Sequence, residues 1–171
     1  MQRPTSVTVF GILNIVFAAL AILGLIGSIA LFFMPVDSNN PVIKIIHKNA
    51  AYAAWLKISI PLGLLSCSAL LAAGIGLLRL KSWARTLSIV YAIYAIVFGI
   101  LGTVVNFFFI IRPMLEQARQ QHGPEAAGAI GGAIGGTIGG CFGLIYPVLL
   151  LIFMLRPNVV AAFRPIPPPQ T

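Results

Sequence analysis

His47 and His122 are the only histidines in the chain, and Asp37, Glu116 and Glu125 are its only carboxylates. Imidazole nitrogens and carboxylate oxygens together make a zinc-type ligand set. Here no pair has the His-x-x-x-His or His-Glu-x-x-His spacing that puts two ligands on one helical face. Solvated loop histidines are therefore expected, and no metal site. Cys67 and Cys141 each stand in an apolar run with no second cysteine at Cys-x-x-Cys spacing and no histidine beside them. That context suits small buried hydrophobes rather than redox or metal chemistry. Lys44, His47 and Lys48 share one face of a short amphipathic segment, "PVIKIIHKNAAYAAW". Cations at headgroup level could act on a lipid, although such clusters more often bind anionic headgroups than catalyse. No glycine is followed by lysine, so no phosphate-binding loop of the G-x-x-x-x-G-K type exists. The expectation is a chain with no catalytic, metal or cofactor-binding residue, and so not an enzyme.

The elements that carry these residues follow from composition. Hydrophobic residues make up 59% of the 171 residues and charged residues 8%, with mean hydropathy +1.01. Soluble domains carry about 25% charged residues, so lipid rather than water is the main solvent of this chain. The net charge is +8 and the pI about 10.2. Its eleven Lys and Arg are spread between the apolar runs, without the dense basic patch that nucleic acid requires. Cations flanking membrane spans explain them, and no nucleic-acid partner is expected.

A span needs about 20 apolar residues. The sequence predicts an all-α, four-transmembrane-helix bundle forming one domain over residues 1–171. Its spans fall at about 7–33, 58–80, 86–111 and 129–155, with short connectors and a proline-rich extended tail at 164–171. The first run is too long for the apolar core of a cleaved signal peptide, about 7–15 residues. The connector "KSWAR" forces the second and third spans into an antiparallel hairpin. Pro61 is placed in the first turn of the second span, where a missing N–H matters little.

The fourth span contains "GAIGGAIGGTIGGCFG", eight glycines in residues 128–143. The apolar segment after it, residues 141–155, would cover only about 22 Å as a helix. At least part of the glycine run must then lie in the bilayer, where irregular exposed backbone has no water to bond. On a helix, Gly128, Gly132, Gly136 and Gly140 form one row, and Gly131, Gly135, Gly139 and Gly143 another about 100° away. Ile130, Ile134 and Ile138 fall on the far side. The smooth face suits small-xxx-small packing, so the fourth helix is expected to be a glycine zipper.

Apart from Arg79 at the very end of the second, no Asp, Glu, Lys, Arg or His falls within the four runs. Such residues mark proton relays and coupled ion pathways, so their absence argues against a pump or ion-coupled transporter. Asn14, Tyr91 and Tyr146 lie at similar depths in three different spans and are expected to form interhelical polar contacts. Asn106 lies nearer the opposite face, and Pro147 is a candidate kink. With four spans, both termini and the middle connector share a side carrying Arg79, Lys81 and Arg85. The tight cluster "RLKSWAR" favours a cytoplasmic placement of that side. Trp83 on one side, with Tyr52 and Trp55 on the other, suit interfacial belts. Glu116 and Arg119 have i,i+3 spacing on a short helix that Gly123 and Pro124 should end.

"GIGLLRLKSWARTLSIVYAIYAIV" and "LRPNVVAAF" resemble a pattern found among small bacterial four-span integral membrane proteins of uncharacterised function. The shared features are the basic-Trp-Ala-Arg connector and a terminal Arg/Ser-Pro-x-Val-x-x-Ala-Phe motif, here Arg156 to Phe163. The resemblance implies four spans in a bacterial cytoplasmic (inner) membrane and carries over no site residue.

The function expected from the residues is structural or accessory, with packing or assembly through the glycine face. Its partners would be membrane lipids and either itself or another membrane protein. Two alternatives stand beside it: an oligomeric pore or channel, and a membrane-embedded lipid-acting enzyme using Lys44, His47 and Lys48.

Overall fold

The structure is a computed structural model that describes residues 5–33, 35, 41–120 and 124–163. It is all-helical. In chain order the elements are α1 (Thr5–Phe33), α2 (Pro41–Lys48), α3 (Ala50–Leu78), α4 (Ser82–Asn106), a π-helical turn (Phe107–Ile111), α5 (Arg112–Gln120), α6 (Pro124–Met154) and α7 (Pro157–Ala162). Four helical stretches are long and apolar enough to cross a membrane: Thr5–Ala30, Ala50–Leu78, Ser82–Glu116 and Ile130–Met154. Large apolar side chains such as Leu23, Leu65, Val97 and Ile134 are exposed all round them. A water-soluble monomer does not expose apolar surface on that scale, whereas a multi-pass membrane protein does.

α1 packs along α3, α3 along α4, and α4 along α6. At one end of the bundle a core of Val7, Phe10, Leu77, Ala84, Leu150, Met154 and Val159 ties the start of α1 to the α3–α4 turn and the end of α6. At the other end Ile46, Tyr52, Ile110 and Met114 form a second cluster beneath α2 and α5.

The α3–α4 turn sets the first end. Lys81 N–H donates to the Gly76 carbonyl and Leu80 N–H to that of Leu77, both at 3.0 Å. This is the Schellman pattern, with Leu80 rather than glycine at the left-handed position, φ 53°. A Cβ on Gly76 would stand 2.5 Å from the Ala84 Cβ, so the hairpin closes only over a glycine. Arg79 and Lys81 are exposed here, and Arg85 donates from Nε to the Met154 carbonyl at 3.0 Å. Arg156 lies over the Phe153 ring at 4.2 Å. The motif that follows folds as α7, and its Val159 and Phe163 cover the first core.

Close glycine packing occurs where α1 crosses α3. A Cβ on Gly74 would lie 2.9 Å from the Gly11 carbonyl oxygen, and one on Gly11 3.3 Å from that of Gly74. The buried face of α1, Val7–Gly11–Asn14–Ala18, has helical spacing.

Several local expectations shift. The segment at 41–55 is two helices, because the Asn49 side chain accepts from Ala51 N–H and Tyr52 N–H, both at 3.1 Å, and starts α3 there. α3 therefore begins before residue 58. It takes in Lys57, whose side chain is exposed, and places Pro61 inside the helix rather than in its first turn. The third long helix passes through the π-turn into α5. There Arg112 Nε pairs with Glu116 at 3.0 Å, so the i,i+4 partner displaces the expected Glu116–Arg119 contact among the described residues. Pro124 opens α6 as its first residue. The tail 164–171, Asp37 and His122 lie outside the described residues.

Candidate functional site

Away from the first core, α1 and α6 part. Among the described residues their side-chain contacts lie at the shared end: Phe10 meets Phe153 with ring centroids 4.9 Å apart, Phe17 meets Tyr146 at 4.1 Å, and the Tyr146 hydroxyl donates to Asn14 Oδ1. Asn14 is fully buried, and its Nδ2 has no partner among the described residues. Tyr91 sits beside Ser66 and near Tyr146. Of the three polar residues expected to meet, the structure joins Asn14 and Tyr146 directly and leaves Tyr91 next to them. Pro147 is buried within α6.

Beyond Phe17 the α1 side chains Leu20, Ile22, Leu23 and Ile26 are exposed. There a cavity of about 590 Å³ lies among α1, α3, α4 and α6. α3 lines it with Tyr52, Trp55, Ser59 and Ser66, positions three, four and seven apart on one helical face. α4 contributes Tyr94, Phe98, Thr103 and Asn106, and α6 contributes Gly136, Gly139, Gly140 and Gly143. Ser28 lines it from α1. The second cluster and α5 lie towards the end that Tyr52 and Asn106 face, while Asn14 and Tyr146 close α1 against α6 towards the other. Between these limits the cavity is partly open, and its lining residues Gly136 and Gly139 are exposed.

The cavity wall is chemically mixed. Trp55 stacks on Phe98 with centroids 5.4 Å apart and planes 16° from parallel, and Tyr94 stacks on Phe98 at 5.2 Å and 20°. Ser28, Ser59 and Thr103 donate their hydroxyl protons to carbonyls four residues earlier in their own helices, at 3.0, 2.8 and 2.8 Å. Their oxygens remain as acceptors. The Tyr52 and Tyr94 hydroxyls and the Asn106 amide make no hydrogen bond among the described residues, and all three line the cavity. Among the described residues, none that lines the cavity is Asp, Glu, Lys, Arg or His.

The eight glycines expected to form a packing face divide in three ways. Gly140 lies against Thr103 and Gly132 against Met114, with Cβ positions 3.3 and 3.1 Å from those side chains. At Gly131, Gly135, Gly136, Gly139 and Gly143 an added Cβ would meet nothing within 4 Å. Gly128 lies within α6. Tyr52 and Trp55, expected in an interfacial belt, both line the cavity, because α3 starts at Ala50 and carries both on that face. Trp83 is half exposed at the other end. The 52, 55, 59, 66 spacing was available in the sequence as a polar-aromatic stripe.

The expected headgroup cations are only partly described. His47 and Lys48 are exposed at the end of α2, and the Lys44 side chain lies outside the described residues. Among the described residues no three of His, Cys, Asp and Glu stand together. Cys67 is buried and Cys141 exposed, so the expectation of a buried cysteine fails at Cys141, whose side of α6 faces outwards. No protein-family model matches the chain, and neither a curated protein nor a solved structure does.

Proposed function

We propose that this is a non-enzymatic integral membrane protein of structural or accessory role that associates with a second copy of itself through α6. The observation that carries this reading is the bare glycine surface. Gly131 and Gly135 are one turn apart, have no atom within 4 Å of their Cβ positions, and do not line the cavity. Exposed Ile130, Ile134 and Ile138 flank them. Two such helices can approach to backbone contact in the small-xxx-small manner, crossing at about −40°. In lipid, where tails are as apolar as leucine, that close van der Waals contact is a main source of association. On this reading the fourth span works as a glycine zipper between chains.

The location that goes with it is a bacterial cytoplasmic membrane with both termini in the cytoplasm. Arg79, Lys81 and Arg85 lie at the end of the bundle shared by the start of α1 and the end of α6, which agrees with the positive-inside rule. The resemblance to small bacterial four-span proteins points the same way.

Native mass spectrometry of the protein released from lipid nanodiscs tests the association. A discrete oligomer that Gly135→Leu converts to monomer is the expected result. A wild-type monomer, or an oligomer unaffected by that substitution, would remove the assembly reading.

A further inference from the structure

Protein interiors hold few voids larger than a water molecule. A partly open recess of about 590 Å³ between membrane helices is not part of that close-packed interior and has to be occupied by something other than the chain's own side chains. It falls within the roughly 300–1,000 Å³ of small-molecule sites. It lies among the four long apolar helices, with its lining residues Gly136, Gly139 and Gly143 exposed on α6 and Leu20, Leu23 and Ile26 exposed on α1. What reaches it comes from the membrane.

The lining narrows the chemistry of the occupant. An ion would find no counter-charge among the described lining residues, and burying an unpaired charge in a low-dielectric site is strongly unfavourable. The occupant is therefore neutral. Among the described residues, the hydrogen-bond donors not used by the protein include the Tyr52 and Tyr94 hydroxyls, the Trp55 indole N–H and the Asn106 amide. A neutral ligand that offers carbonyl oxygens would satisfy them. The stacked Trp55, Phe98 and Tyr94 rings give a flat, polarisable surface, and the bare glycines of α6 give room without side chains. A hydrocarbon chain attached to such a head would leave past Gly139 into the bilayer.

We infer that the cavity binds a neutral membrane lipid through a carbonyl-bearing head group, held by Tyr52 and Tyr94 beside the Trp55–Phe98 stack, with its chain leaving between α1 and α6. Two classes of lipid share this chemistry, a quinone ring on an isoprenoid chain and the ester head of a diacylglycerol. The inference does not rest on self-association, because Gly131 and Gly135 do not line the cavity.

The test uses the full chain in nanodiscs with Trp83→Phe, which leaves Trp55 as the single tryptophan of the two in the sequence. Trp55 fluorescence is followed during titration with a short-chain benzoquinone and, separately, with dioctanoylglycerol. Gly139→Leu puts a side chain into the cavity from a position whose Cβ meets nothing within 4 Å, and Gly24→Leu on α1 has an equally open Cβ position but lies outside the lining and away from the α6 surface. The expected result is saturable binding of at least one probe by the parent and by Gly24→Leu, weakened at least about tenfold by Gly139→Leu. Saturation by the quinone alone assigns the ring, by the diacylglycerol alone the ester, and by both the carbonyl as the shared determinant. The Tyr52→Phe, Tyr94→Phe double variant keeps the cavity's shape and removes two donors, and should weaken binding by about fivefold or more. If neither probe saturates with the parent, or if Gly139→Leu and the double tyrosine variant both bind as the parent does, the inference is wrong.

Discussion

The same chemical change, glycine to alanine, should have opposite effects at Gly74 and at Gly135. An added Cβ at Gly74 lies 2.9 Å from the Gly11 carbonyl oxygen, 2.9 Å from Ile15 Cγ1 and 3.0 Å from Asn14 Cβ. Ordinary contact begins near 3.4 Å, so α1 and α3 must part by about 0.5 Å. The carbonyl oxygen cannot yield alone, because it belongs to the backbone of α1. Overpacking of this kind costs about 1–3 kcal/mol. Alanine's better helix propensity returns at most about 1 kcal/mol in water, and less in a bilayer, where unfolded backbone is itself penalised. The net expectation for Gly74→Ala is a loss of about 1–2 kcal/mol. At Gly135 nothing lies within 4 Å, so only the propensity gain operates and Gly135→Ala should be neutral or stabilising by up to about 1 kcal/mol. Reversible unfolding by SDS titration in mixed micelles, at a dilution that keeps the protein monomeric, would measure both. Equal stabilities for the two variants, within about 0.3 kcal/mol, would show that the α1–α3 crossing is not the tight point described.

Two further outcomes follow from the polar contacts and the charge distribution. Tyr146→Phe removes the hydroxyl that donates to Asn14, and a double-mutant cycle with Asn14→Ala should give a coupling of about 0.6–2 kcal/mol in the same unfolding assay; coupling near zero would mean that the pair is not bonded in the membrane. For orientation, a membrane-impermeant maleimide should label Ser82→Cys, in a background with Cys67→Ala and Cys141→Ala, in inverted vesicles and not in right-side-out ones. Lys57→Cys should show the reverse, and the opposite pattern would place the Arg79–Lys81–Arg85 end outside.

How much was legible depends on whether the signal was local. Four apolar runs bounded by cations dictated four long helices, because spanning hydrocarbon demands about 20 apolar residues with every backbone group bonded internally. The glycine run had to be largely helical for the same reason, and α6 covers it from Pro124 to Met154. The hairpin between α3 and α4 followed from a connector too short for any other arrangement. Boundaries were less legible. Asn49 shows as a helix start only when its side chain is seen accepting from Ala51 and Tyr52, and that single cap brings Tyr52, Trp55 and Lys57 into α3.

The sequence by itself determined the solvent, the helices and the face of α6 that carries no side chains. Only the tertiary structure decided what that face meets. Helix rotation and splay are set by which neighbours touch: Gly11 against Gly74 pulls α1 onto α3, while the Asn14–Tyr146 and Phe10–Phe153 contacts hold α6 to α1 at one end alone. From that geometry, Gly136, Gly139, Gly140 and Gly143 become a cavity wall and Gly131 and Gly135 an open surface. One-dimensional spacing carries no information on the distance between helices far apart in the chain, and so could not separate these uses of the same residue.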